Sequence, residues 1–349
     1  MGDGQKLGLN VTTFGRRYIG YSISFTEPWL GGRKPNSLTA SFYQTFYSNG
    51  YERTNSQYGW INMTGGTIGL GRRLTWPDDY FSLFQAVNVK RYSLNNYESA
   101  HLNVGDGNGK FNLISYSIVL SRNSVSQPIY PRNGSEFQIG LEITPPYSLF
   151  ANKDYSTLSE NEKYKWIEMH RWTFKAAWFT ELYDKLVMMT RVRFGYLGFY
   201  NDQIGPTPFH RYFLGGDGLS NVSFDSRELV GMRGYGNSAL TPGFYNSSNS
   251  GGNGGNILSK YTLELRYPLS LNPQATIYAL TFLEAGNCWL GLKSFNPFDV
   301  KRSAGLGVRI FLPMFGLLGL DWGYDFDDIY GVQGENHSQF HFSIGGSID

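Results

Sequence analysis

The chain contains 349 residues, of which 17% are aromatic, 17% are charged and 43 are glycine, and its formal net charge is +2. Soluble domains carry about 25% charged residues, and this composition fits an outer-membrane β-barrel and a large soluble β-sandwich or propeller about equally well. A net charge near zero gives no support to nucleic acid as a partner. No run of about 18 apolar residues is present, which excludes a helical membrane protein. The single cysteine, Cys288, rules out a disulfide within the chain.

Apolar and polar residues alternate along nearly the whole chain, and this period of two predicts fourteen β-strands. Several predicted strands reach the roughly 9–11 residues that a membrane strand requires. One face of the later strands is apolar, and the other is small, polar or charged, as expected where one face meets lipid and the other a lumen. The predicted strands cover residues 5–15, 18–27, 37–48, 58–71, 80–93, 110–123, 135–144, 164–180, 185–200, 257–268, 274–288, 301–312, 316–325 and 338–347.

The connections alternate between short and long, with the connection at 123–134 as the exception because it is long where a short one is expected. Outer-membrane barrels have short periplasmic turns and long outer loops, whereas a sandwich has no reason to alternate in this way. We therefore predict an all-β fold in which residues 1–349 form an antiparallel transmembrane β-barrel. Residues 201–256 are predicted to be a long outer loop.

This long loop contains the sequence Gly-Met-Arg-Gly-Tyr at residues 231–235. Arg233 is permanently charged and presents a rigid fork of donors, so inside a barrel it needs a carboxylate partner. The next two predicted strands supply one carboxylate each, Glu264 and Glu284.

Motifs of enzymes and cofactor sites are missing: the sequence has no Gly-x-Ser-x-Gly elbow, P-loop, His-Glu-x-x-His or Cys/His cluster. We therefore predict no enzymatic activity, no cofactor and no metal site, with a lipase built into the barrel wall as the enzymatic alternative. Four aspartates near one strand end could attract a cation, but we expect them to be solvated: Asp321, Asp325, Asp327 and Asp328.

Six segments match a known family in its own order along the chain. They are Gly4-Gln5-Lys6-Leu7; Ser24-Phe25-Thr26-Glu27-Pro28-Trp29-Leu30-Gly31-Gly32; Phe213-Leu214-Gly215-Gly216; Met232-Arg233-Gly234-Tyr235; Gly319-Leu320-Asp321-Trp322-Gly323-Tyr324; and Phe340-His341-Phe342-Ser343-Ile344-Gly345. On these segments the chain resembles the barrel of the BamA family of outer-membrane protein assembly factors, and its Bacteroidetes-type members in particular.

The resemblance implies a sixteen-strand barrel preceded by five POTRA domains, of which this chain would lack the POTRA domains and the first two strands. We accordingly expect strand 5–15 at an exposed edge, and this truncation accounts for the missing signal peptide. The resemblance also implies that the loop motif folds into the lumen and meets acidic residues of the following strands. In this sequence the residues that correspond to the family's motif are Met232, Arg233, Gly234 and Tyr235. The corresponding acidic residues are Glu264 and Glu284.

The family's function implies that the last strand forms one side of a weak seam that opens and templates incoming strands. Residues of that strand are Phe340, Phe342, Ile344, Gly345 and Gly346, with the three apolar side chains facing lipid and His341, Ser343 and Gly345 facing inward. The implied location is the outer membrane of a Gram-negative cell. The implied partners are nascent outer-membrane proteins, lipids and other subunits of an assembly complex. A two-partner-secretion or TamA-type transporter and a passive porin or receptor are the alternatives.

Overall fold

The computed structural model describes residues 4–32, 36–97, 102, 104–151, 153–217, 226–243, 254–329 and 337–345. The strands of this part of the chain are β1 Lys6–Phe14, β2 Tyr18–Glu27, β3 Asn36–Ser48, β4 Trp60–Arg73, β5 Phe81–Asn95, β6 Gly109–Asn123, β7 Gly134–Ile143, β8 His170–Tyr183, β9 Leu186–Gly198, β10 Tyr212–Leu214, β11 Glu228–Val230, β12 Ile257–Asn272, β13 Ala275–Trp289, β14 Lys301–Leu312, β15 Gly316–Asp325 and β16 Ser338–Ile344. Two single-turn helices, α1 Tyr147–Phe150 and α2 Glu160–Lys163, lie between β7 and β8. Neither they nor any other helix in the described ranges has the length and apolar content needed to cross a bilayer.

Fourteen of these strands form one sheet, in which each strand neighbours the next along the chain and β9 neighbours β12. The order begins with β1 and ends with β16. All fourteen predicted strands are confirmed, most of them within two residues at each end. The prediction for 164–180 is wrong in its first part, because the strand begins at His170. The short strands β10 and β11, which pair in parallel apart from the large sheet, were not predicted.

The chain divides into two compact units. The first comprises Met1–Ser121, Ile139–Trp172 and Leu197–Phe209. On its buried face Tyr92 stacks on Phe209, with ring centroids 4.5 Å apart, and Phe111 packs against the same ring. The opposite face exposes large apolar side chains, as expected of strands in which successive residues point to opposite sides. Examples are Leu7, Leu9, Ile68, Val87 and Val89.

The second unit comprises Arg122–Gln138, Thr173–Tyr196 and His210–Asp349. Its β12 shows the predicted alternation, since Tyr261, Leu263, Leu265 and Tyr267 are exposed while Thr262, Glu264 and Arg266 are buried. The buried face therefore carries charged groups, and each of them needs a partner. An apolar core lies on the same face and consists of Tyr130, Ala177, Phe179, Val187, Met189, Tyr278, Leu280 and Phe282.

Candidate functional site

The Gly-Met-Arg-Gly-Tyr segment is held by backbone hydrogen bonds to Gly216. The amide of Met232 donates to the carbonyl of Gly216 over 3.0 Å, and the amide of Gly216 donates to the carbonyl of Tyr235 over 3.2 Å. Gly216 and Gly234 have φ values of 93° and 90°, which side chains with a Cβ rarely adopt. The glycines around Arg233 therefore allow the backbone to turn tightly and carry the arginine into the buried face.

Arg233 is completely buried and contacts carboxylates of three strands. Its Nη2 lies 2.7 Å from Oε1 of Glu264 and 2.8 Å from Oε1 of Glu284, and its Nη1 lies 3.4 Å from Oδ1 of Asp321. The backbone amide of Arg233 also donates to Oε2 of Glu284 over 2.8 Å. Its guanidinium carbon lies 3.7 Å from the centre of the Phe282 ring, in cation–π geometry. Carboxylates of β12, β13 and β15 thus converge on one side chain of the loop.

Burial by itself would lower the pKa of Arg233, because desolvation disfavours the charged form. The carboxylates of Glu284 and Glu264 outweigh this effect and raise its pKa above the ordinary value. The arginine therefore stays charged at any pH at which the protein is folded.

Three further cations contact the same carboxylates. Arg266 Nη2 lies 2.7 Å from Oε2 of Glu264, and Lys260 Nζ lies 3.2 Å from Oε1 of Glu284. Lys260 also donates to the carbonyl of Gly231 over 2.7 Å, so it holds both the loop and the carboxylate. Arg309 reaches both oxygens of Asp321 at 2.9 Å. Buried charges are tolerated only when paired in this way, and the result is a network in which cations and carboxylates alternate.

The residues after Arg233 connect the motif to β14 and β16. The amide of Gly234 donates to Nε2 of His341 on β16 over 2.8 Å. The hydroxyl of Tyr235 donates to the carbonyl of Arg302 over 2.8 Å. Because His341 accepts this bond through Nε2, the imidazole has to be neutral with its proton on Nδ1. The loop motif therefore contacts the final strand of the sheet directly.

The structure brings Met232, Arg233, Gly234 and Tyr235 together with both carboxylates named from the sequence, Glu264 and Glu284. The expectation of solvated aspartates is wrong for Asp321 and Asp325, because both side chains are buried, that of Asp321 between Arg233 and Arg309. Sequence reasoning did not assign to this site five of its residues, namely Lys260, Arg266, Arg309, Asp321 and His341. Each lies on the buried face predicted by alternation, which is the signal that points to them.

The last strand presents its apolar residues on the exposed face: Phe340 is 74% exposed, Phe342 44% and Ile344 57%. His341 and Ser343 are buried on the opposite face. The strand ends at Ile344, three residues before the predicted end, and Gly345 follows with a φ of 80°. Gly345 is exposed, so the expectation that it faces inward is wrong. Gly346 lies outside the described residues.

The connection between β6 and β7 places a tyrosine beside the arginine network. Tyr130 is buried, and its hydroxyl lies 2.8 Å from the carbonyl oxygens of both Lys185 and Arg266. Its ring meets that of Tyr278 edge-on, with centroids 5.2 Å apart. Because Arg266 also binds Glu264, a single residue links this connection to the carboxylate that holds Arg233.

This arrangement is suited to holding a loop in place. Every carboxylate of the network accepts hydrogen bonds from arginine or lysine, and Glu284 also accepts one from the hydroxyl of Thr262 over 3.3 Å. Within the described ranges, no group of three or more His, Cys, Asp or Glu side chains is placed to hold a metal ion.

Long antiparallel strands, an apolar exposed face and a buried face of paired charges are typical of transmembrane β-barrels. A family model described as the Omp85 superfamily domain matches residues 1–348, and the chain belongs to this superfamily. Barrels of this superfamily are outer-membrane proteins of Gram-negative bacteria. A sequence comparison with the curated proteins found no match.

Solved structures share the fold at low sequence identity. BamA from Haemophilus ducreyi lacking POTRA domains 1–3 has a TM-score of 0.70 and 18% identity, covering 98% of this chain and 64% of that chain. CdiB from Escherichia coli has a TM-score of 0.55 and 13% identity, covering 94% and 52%. CdiB from Acinetobacter baumannii has a TM-score of 0.56 and 14% identity, covering 97% and 53%. The chain therefore spans less than two thirds of the length of each of these proteins.

Proposed function

We propose that this chain is the membrane-embedded part of an outer-membrane protein assembly factor that templates nascent β-barrels at a weak seam beside its last strand. The observation that carries the proposal is the hydrogen bond from Gly234 to His341, which joins the buried arginine motif to β16. A loop fixed to three strands by Arg233 and to the last strand by Gly234 can control how firmly that last strand is held.

The physical need for such a factor follows from the bilayer. A nascent strand cannot enter hydrocarbon with unpaired N–H and C=O groups, because each costs several kcal/mol. A strand whose own pairing is weak can open and offer its edge to the incoming strand. In the large sheet β16 is the shortest strand, with seven residues, and it pairs with β15 over only seven positions. Because β16 has only seven residues, any pairing across the seam is short as well, which supports a role as the opening side.

We further propose that the protein lies in the outer membrane, where its partners are nascent outer-membrane proteins, lipids and accessory subunits recruited by POTRA domains. The resemblance to BamA in the quoted segments supports this assignment, and we propose that the chain is a Bacteroidetes-type member. No covalent chemistry is part of the proposed function.

Reconstitution tests the proposal. The full chain is placed in liposomes, a urea-denatured eight-strand barrel is added, and its folding is followed by the shift in gel mobility between heated and unheated samples. We expect folding to be faster than in empty liposomes, and slower with His341→Leu than with the unmodified chain. Equal folding rates in empty and protein-containing liposomes would overturn the proposal.

A two-partner-secretion or TamA-type transporter is the second candidate, and the shared fold with two CdiB proteins favours it. Such a transporter moves an unfolded partner through its lumen, so it should protect a translocated domain inside the liposome without accelerating barrel folding. A stable, selective ion conductance from the unmodified chain would instead indicate a passive porin or receptor.

A further inference from the structure

The exposed face of β1 to β5 contains a groove of about 520 Å3, lined mainly by apolar side chains. Gly66 forms its floor in the middle, because Phe42 and Val89 are its direct neighbours across the sheet and it has no side chain between them. Ala40 lies in the next row of paired residues along the strands, and its small side chain widens the groove there. The other large apolar side chains that line it are Leu7, Ile23, Phe25, Ile68 and Val87.

A polar row crosses the same face at one end of this groove. Strand register places Tyr21 opposite Gln44, Gln44 opposite Thr64 and Thr64 opposite Arg91. The amide of Gln44 donates to Asn62 over 3.4 Å. Because residues alternate between faces, Arg91 points to the same side as Val87 and Val89. The row lies one register step beyond Phe42, Gly66 and Val89, on the side of the long connections.

Arg91 is the charged member of this row. It is exposed, and its Nε donates to Oδ1 of Asn112 over 2.9 Å. Among the described residues, the structure gives Arg91 no carboxylate partner. Lys110 is also exposed, and it lies two residues before Asn112 on the same face of β6. This edge of the groove is therefore cationic.

A cation on the lipid-facing side of a barrel is unfavourable at the centre of the bilayer and tolerated near the interface. At that level it meets lipid phosphates, which the planar fork of arginine binds in a bidentate manner. Tyr21, 53% exposed, belongs to the same row, as expected where tyrosines lie at headgroup level. An anionic head at Arg91 and an acyl chain over Gly66 would match both halves of the site.

We propose that this groove binds one phosphate-bearing anionic lipid of the leaflet on the side of the long connections, with its phosphate on Arg91 and an acyl chain lying over Gly66; phosphatidylglycerol serves as the probe. The site is separate from the Arg233 network and does not depend on the proposed assembly function. Its occupant is a membrane lipid, because the apolar groove and the cationic row are continuous and a free phosphate would use only one of them.

Native mass spectrometry of the detergent-solubilised full chain tests the site with phosphatidylglycerol and phosphatidylcholine of identical acyl chains. We expect the unmodified protein to retain phosphatidylglycerol about fivefold more tightly, as one cation at an anionic headgroup contributes. Arg91→Gln should abolish this preference, and Arg91→Lys should keep part of it. Gly66→Leu fills the groove and should weaken the binding of both lipids severalfold.

Arg53→Gln is the matched control, since it removes the same charge from an exposed position in the connection between β3 and β4 and should leave the preference unchanged. Heat-modifiable gel mobility verifies that each variant is folded. An unchanged phosphatidylglycerol preference in folded Arg91→Gln would overturn the site. Displacement of phosphatidylglycerol by an equal concentration of inorganic phosphate would also overturn it, because the acyl chain would then contribute nothing.

Discussion

Gly323 on β15 lies directly beneath Gly234 of the loop motif: a Cβ added to Gly323 would be 2.5 Å from the backbone nitrogen of Gly234 and 2.8 Å from its Cα. Contacts this short do not occur, and both atoms belong to backbone that cannot move aside as a flexible side chain can. The close approach is what allows the amide of Gly234 to reach His341 and Arg233 to reach its carboxylates. The loop can therefore pack against β15 only because residue 323 has no side chain.

Gly323→Ala should lift the motif from the sheet. We expect a loss of about 1–3 kcal/mol in the free energy of unfolding, because overpacking of a closely fitted contact has that effect. The measurement is guanidinium unfolding in detergent, followed by tryptophan fluorescence. Gly236→Ala is the control in the same loop, since its Cβ would meet nothing closer than 3.6 Å. Equal stability of the two variants would show that the loop is not seated on Gly323.

Arg233 and Glu284 should be strongly coupled. Removing one partner of a buried ion pair costs about 3–5 kcal/mol, because the other charge stays buried. In a double-mutant cycle of Arg233→Ala and Glu284→Ala, the double variant should therefore lose much less than the sum of the single losses. The unfolding free energy in detergent is the measured quantity.

The pair of Arg302 and Asp327 provides the comparison for that cycle. Its Nη2 and Oδ1 are 2.9 Å apart, but the Arg302 side chain is 63% exposed. Exposed pairs contribute about 0–1 kcal/mol, so Asp327→Asn should change stability little. Additive losses in the Arg233 and Glu284 cycle would contradict the buried network.

His341 should be replaceable by an acceptor but not by an apolar residue. Glutamine offers a carbonyl oxygen to the amide of Gly234, whereas His341→Leu leaves that buried amide without a partner, at a cost of about 1–3 kcal/mol. The accessibility of a cysteine introduced at Ser238 to a membrane-impermeant maleimide reports whether the loop has moved. We expect rapid labelling in the leucine variant and slow labelling in the glutamine variant. Equal labelling rates would mean that His341 does not hold the loop.

Tyr130 should hold the β6–β7 connection against the buried face. Tyr130→Phe loses only the hydroxyl and should cost about 1 kcal/mol. Tyr130→Ala also removes a buried ring, and aromatic-to-alanine changes in cores cost about 3–5 kcal/mol. Trypsin cleavage after Arg132 measures release of the connection and should increase mainly in the alanine variant. Equal cleavage of both variants would contradict this role of the ring.

The sequence was sufficient for the strands and their faces because alternation is local. Phe340 and His341 were assigned to opposite faces correctly, and Glu264 and Glu284 lie on the strands that follow the loop. Asp321 could not be connected to Arg233 in the same way, since the two are 88 positions apart. Their contact depends on the register of β13 with β14 and of β14 with β15, which no local pattern specifies.

The remaining errors lie where periodicity is missing. The strands β10 and β11 contain three residues each, too few to show alternation. The connection around Tyr130 has no regular pattern, so its insertion depends on tertiary contacts. In the sequence, Gly345 continues the alternation. Its positive φ does not fit an extended strand, so β16 ends at the residue before it.

Every carboxylate that holds Arg233 lies later in the chain than the arginine itself, and so does His341, 107 positions beyond Gly234. The arginine is therefore synthesised before its partners. An unpaired guanidinium is strongly disfavoured in a buried site, so the loop is kept outside until the later strands are in register. The network therefore forms only when the later strands are complete and in register. A chain that stops before β15, or pairs β15 out of register, leaves Arg233 without its partners and the loop accessible to proteases.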